Sequence, residues 1–173
     1  MEYFVYGRDR VGAGGLKESL GEEHWAFMDR YDDRLIARGP TLTSQNDDAE
    51  STGSLHIVDL PDEAAVQEFA YEEPYYRAGA FETVDIFGFV NTSGRTMWEF
   101  TDAIDGYGRY LVLAMGDTPA PPESKHLIVY GELLDGETPI GRAALVEALD
   151  PKSAADLLPG STEVHPWTFG GRR

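Results

Sequence analysis

A chain of 173 residues, 42% of them hydrophobic, carries enough apolar side chain for one sizeable core or two small ones, which excludes a disordered polypeptide. Its net charge of -17 repels phosphate backbones and excludes nucleic acid as the expected partner, and no apolar run is long enough for a bilayer. The lack of cysteine removes disulfides, thiolate metal ligands and cysteine nucleophiles, and suits a reducing compartment.

Met1 leads straight into Tyr3-Phe4-Val5-Tyr6, without a basic stretch and long apolar run, so no signal peptide is read and a cytoplasmic location is expected. That aromatic and β-branched run predicts a first strand, followed by a loop at Gly12-Ala13-Gly14-Gly15. The loop lacks dinucleotide-binding spacing and a phosphate-binding lysine, and is read as a lid. Ser19 and Glu22 have capping-box spacing, which predicts a helix from Ser19. Leu20, His24, Phe27, Met28 and Tyr31 then share one face at about 100° per residue, the face a helix turns to a core.

The stretches 35–40 and 53–58 predict a hairpin with a long polar connection. Pro61 fits a helix first turn, with Asp62 and Glu63 complementing the dipole, and Pro74 ends that helix. Residues 82 to 90 form the last strand of a β-α-β-β-α-β unit, the ferredoxin-like order. Beyond it, Tyr110-Leu111-Val112-Leu113 echoes the first strand and Leu127 to Gly131 echoes Leu35 to Gly39. Pro151 with Ala154-Ala155 repeats Pro61 with Ala64-Ala65, and Val164 to Phe169 answers Val84 to Phe89. Only the proline-rich stretch from Gly116 to Lys125 stands where the first copy has a helix. The expected fold is therefore α+β: two ferredoxin-like halves, residues 1–91 and a degenerate 109–173, joined by a linker at 92–108 and packed as a pseudo-dimeric α/β barrel.

The helix with His24, the Gly39-Pro40 pair, the strand from Gly53 to Ile57, and Glu73-Pro74-Tyr75 followed by Ala78-Gly79 together resemble the YCII-related (YciI-like) family, here tandem-duplicated. The resemblance implies the dimeric α/β-barrel type and a proton-handling His with a carboxylate partner. It also implies an activity related to a dehydrochlorinase acting on a hydroxylated chloroaromatic ring. Two positions depart from the family pattern: Glu73 stands where an Asp is usual, and Gly21 where an Arg is frequent.

His24 and Glu73 are thus the candidate catalytic pair, with the imidazole moving a proton and the carboxylate fixing its tautomer. The alternative is a hydrogen-bonded core histidine. Tyr75, Tyr6 and Tyr3 are the candidate substrate-binding aromatics, with Trp25 and Tyr76 as further possibilities. His56, His126 and His165 are read as structural, and neither metal nor cofactor is expected. The expected partner is a small molecule, the expected state a monomer or homodimer. The rival function is a non-catalytic binding or accessory protein that keeps the pocket.

Overall fold

The structure, a computed structural model, describes residues 1–171. Among these, eight strands close into one antiparallel barrel: β1 (Glu2–Asp9), β2 (Leu35–Leu42), β3 (Ser51–Asp59), β4 (Phe81–Asn91), β5 (Gly108–Met115), β6 (Leu127–Asp135), β7 (Thr138–Ala148) and β8 (Glu163–Trp167). Around the barrel they run β1-β3-β2-β8-β5-β7-β6-β4. Short helices lie between them: α1 (Gly14–Ser19), α2 (Gly21–Asp29), α3 (Glu63–Tyr71), α4 (Pro74–Arg77) and α5 (Pro151–Asp156).

This corrects the expected α+β fold of two ferredoxin-like halves packed as a pseudo-dimeric α/β barrel. The protein is a single closed β-barrel, mostly sheet. Edge strands explain the difference, because an unpaired edge leaves a row of backbone donors and acceptors unsatisfied. Gly88–Asn91 of β4 pairs with Gly131–Leu134 of β6, and Thr41 of β2 pairs with Trp167 of β8, so both seams are sealed by main-chain pairing. The inward side chains then fill one lumen instead of an interface between two sheets.

Alternation along the strands sorts the core. Phe4 and Tyr6 point inward with Leu55, Ile57, Leu111, Leu145 and Trp167, while Tyr3 and Val5 point outward beneath α2 and α3, against Met28, Val66 and Phe69. On the other side Tyr110, Val112 and Val146 lie beneath α5 with Ala154 and Leu158. Strands apolar on both faces are what a barrel sheathed by helices demands.

The helix expected from Ser19 begins instead at Gly21, after a break at Leu20. Ser19 closes α1, its Oγ donating to the Leu16 carbonyl (2.9 Å), and the presumed lid loop instead contributes Gly14 and Gly15 to α1. A short helix with two glycines has little intrinsic stability. Its anchor is tertiary: Lys17, buried on the strands below. Pro61 precedes the cap of α3 instead of occupying its first turn, and the Asp62 side chain accepts from the Ala65 N–H (2.9 Å). Among the described residues no helix is long and apolar enough to cross a membrane.

Candidate active site

A cleft of about 750 Å³ opens between α1 and α2 on one side and the outer faces of β2 and β3 on the other. His24, Lys17, Arg38, His56, Tyr75 and Phe169 are among its lining residues. β-Carbons at Gly14, Gly15 and Gly21 would meet open space, so their lack of side chains widens the mouth.

His24 lies within α2, 6% exposed, and its Nδ1 is hydrogen-bonded to Glu73 Oε1. Glu73 is itself fixed twice. Pro74 restricts it to extended backbone (φ -64°, ψ 134°), and its Oε2 accepts from the Tyr76 N–H (3.0 Å) as the N-cap of α4. An ionised carboxylate only accepts, so Nδ1 carries the proton in neutral His24 and Nε2 keeps its lone pair. Tyr75 stacks on the imidazole, ring centroids 4.1 Å apart and planes within 7°. Burial, then the Glu73 and Asp9 charges, push the Tyr75 phenol up to about 12, so it stays protonated at neutral pH.

His56 sits beside this pair, its ring centroid 5.6 Å from that of His24. Burial, with help from His24, Arg38 and Lys17, holds it well below the ordinary 6.5, so it stays neutral near neutral pH. The unfolded chain therefore binds one proton more than the native protein between that lowered value and 6.5. Stability from this group is complete above 6.5 and is lost as the pH falls below it. Replacing His56 with Gln should flatten the decline in urea-measured stability between about pH 7 and pH 5, where one proton contributes up to about 1.4 kcal/mol per pH unit. An unchanged slope would contradict this account of His56.

Lys17 completes the floor. Its Nζ donates to Asp9 Oδ1 (3.0 Å), Ser51 Oγ (2.7 Å) and Ser54 Oγ (3.0 Å), and Ser51 Oγ donates to Asp9 Oδ2 (2.8 Å). Burial lowers the Lys17 pKa, and the Asp9 charge and hydrogen bond oppose that shift. Arg38 is buried on β2 with its Nη1 3.5 Å from Asp29 Oδ1.

Of the sequence-derived candidates, the structure brings His24, Glu73 and Tyr75 together. Tyr6 and Tyr3 do not join them. Tyr6 points into the lumen, its hydroxyl 2.9 Å from Thr41 Oγ1, and Tyr3 packs beneath the helices. Trp25 lines the mouth, whereas Tyr76 lies outside it against Tyr71 and contributes its backbone N–H. Sequence reasoning missed Lys17, Arg38 and Phe169, and set His56 aside. The period-2 pattern placing Ser54, His56 and Val58 on one face of β3 was the available signal for His56.

A family model described as the YCII-related domain matches residues 1–90. No curated protein matches the chain. Among solved structures, 5-chloro-2-hydroxyhydroquinone dehydrochlorinase (TftG) from Burkholderia phenoliruptrix AC1100, in complex with 2,5-dihydroxybenzoquinone, is 22% identical. The match has a TM-score of 0.51 over 55% of this chain and 99% of that one, a likeness of fold. A structure described as a "putative monooxygenase" from Lactobacillus acidophilus NCFM is 8% identical, with a TM-score of 0.45 over 96% of this chain and 93% of that one.

Proposed function

This chain belongs to the YCII-related family, and we propose that it is an enzyme moving a proton on a small hydroxylated ring or related organic molecule. His24 Nε2 is the acid/base atom and Glu73 its positioning carboxylate. The observation that carries the reading is that His24, which lines an open cleft, is hydrogen-bonded through Nδ1 to the Glu73 carboxylate, itself 3% exposed and already held by the α4 cap. A purely structural histidine needs neither the cleft nor an immobilised acid.

Such a pair takes a proton from an O–H or C–H of the ligand, and the bonding electrons move into the ring. Placing a proton on a halogen-bearing ring carbon makes it tetrahedral, and removal of a second O–H or C–H proton with expulsion of halide then completes an elimination. Return of the proton to a neighbouring carbon completes an isomerisation. Neither outcome changes the oxidation level of the protein or consumes a co-reactant, so the assigned side chains suffice. The imidazolium is stabilised by Glu73, and neutral His56 and the protonated Tyr75 phenol add no opposing charge.

The activity and bound ligand of the Burkholderia enzyme set the first compounds to try. A thermal-shift screen of phenols, hydroxyquinones, halogenated hydroquinones and small cyclic acids, followed by product analysis, tests the reading. The expected result is stabilisation by at least one compound and its conversion with release of an anion or a shifted double bond. Stabilisation without turnover would identify a binding protein instead.

A further inference from the structure

The family match stops at residue 90, but the cleft continues past it. After β8 the chain crosses β2: the Thr168 N–H donates to the Pro40 carbonyl (3.3 Å) and the Gly170 N–H to the Arg38 carbonyl (2.9 Å). These bonds lay Phe169, Gly170 and Gly171 along the cleft as part of its lining.

The approach is close enough to dictate residue type. A β-carbon on Gly39 would collide with the Thr168 carbonyl oxygen and lie 2.8 Å from Trp167 Nε1, and one on Gly170 would lie 2.6 Å from Gly39 Cα. Gly171 adopts a φ of 80°, and a β-carbon there would lie 2.6 Å from Arg38 Cζ. The segment therefore covers the Arg38 guanidinium. Phe169 is anchored by parts of the chain outside the matched region: Trp167 meets it edge-on with centroids 5.2 Å apart, and the Arg109 guanidinium lies 4.5 Å above its ring. Against a floor of Lys17, Arg38 and two histidines, Phe169 and Tyr75 offer aromatic surface.

We propose that Phe169–Gly171 is the specificity wall of the cleft, with Phe169 contacting the ring of the substrate and Gly170 setting the spacing between wall and β2. The inference rests on the reading of the cleft as a small-molecule active site. It makes the C-terminal strands a part of the site instead of a scaffold for the barrel alone, and it gives Gly39 a physical reason to be glycine.

The test uses the full chain and three probes: 2,5-dihydroxybenzoquinone, phenol and the non-aromatic cyclohexanecarboxylate. Binding is followed by NMR at the His24 and Phe169 side chains and at the Gly170 amide. The two flat, conjugated probes, 2,5-dihydroxybenzoquinone and phenol, should perturb all three positions. Phe169→Ala should weaken their binding about tenfold, with a smaller effect on cyclohexanecarboxylate and recovery in Phe169→Tyr. Gly170→Ala should weaken all ligands that bind the wild type, because it displaces the wall without removing a cleft side chain. If Phe169→Ala fails to fold, Phe169→Leu, which keeps apolar volume and loses the ring, carries the same comparison. Perturbation at His24 without any at Phe169 and Gly170, and unchanged affinity in the Phe169 variants, would overturn the wall alone. No perturbation of His24 by any probe would overturn the active-site reading and the wall with it.

Discussion

Replacing His24 with Asn is expected to cut turnover by about 10²- to 10⁴-fold while the barrel stays folded. Asn keeps an N–H donor for the Glu73 carboxylate, so the buried acid is not stranded, but it has no atom able to accept a proton near neutral pH. Glu73→Gln is expected to approach the same loss by a different route. The Gln carbonyl can still accept from the Tyr76 N–H, which leaves its amide NH₂ to face Nδ1. Nδ1 must then act as the acceptor, the proton moves to Nε2, and the atom facing the cleft becomes a donor. A wrong tautomer in an otherwise intact site costs orders of magnitude in acid/base catalysis. Steady-state kinetics on a converted compound, with circular dichroism to verify folding, measures both. Turnover within about twofold of wild type in either variant would remove the pair from the chemistry.

Lys17→Met should be the most destabilising substitution in the cleft, at about 3–5 kcal/mol in chemical denaturation, the range for removing one partner of a buried ion pair. The side chains of Lys17 and Asp9 are 8% and 6% exposed, so Asp9 would be left as a buried charge with Ser51 Oγ its remaining side-chain donor. The double variant Lys17→Met, Asp9→Leu should regain most of the loss, because replacing both charges removes the stranded carboxylate. A single-variant loss below about 1 kcal/mol would show that this network is solvated and does not anchor α1.

The parts legible in the sequence were those that local rules govern. Tyr3 to Tyr6 alternates as a strand, Leu20 to Tyr31 has a helical stripe with His24 inside it, and Pro74 holds Glu73 extended. The strand period also separates two of the candidate tyrosines. Tyr3 and Tyr6 differ by an odd number of positions, so they point to opposite faces of β1 and cannot both line one cleft.

What was not legible depends on pairings distant in the chain. Closure of the barrel rests on β4 meeting β6 and β2 meeting β8, and nothing local in Gly88–Asn91 or Thr41 announces those partners. Lys17 looks like any solvated lysine until Asp9, Ser51 and Ser54, from two other strands, are brought beneath it. The Ser19 capping-box spacing misled for the same reason, since the Lys17 anchor holds a helix where two glycines argue against one. Gly39-Pro40 stood out as a motif, yet its cause, the crossing of residues 168–170, lies far along the chain.

If His24 exchanges a proton with a carbon of a bound ligand, that ligand takes up deuterium from solvent at the same carbon. A stabilising compound with an ionisable C–H is incubated in D₂O with the wild type and with His24→Asn, and its deuterium content is followed by mass spectrometry. The predicted result is incorporation at least about a hundredfold faster with the wild type. Equal incorporation by the two proteins would contradict it.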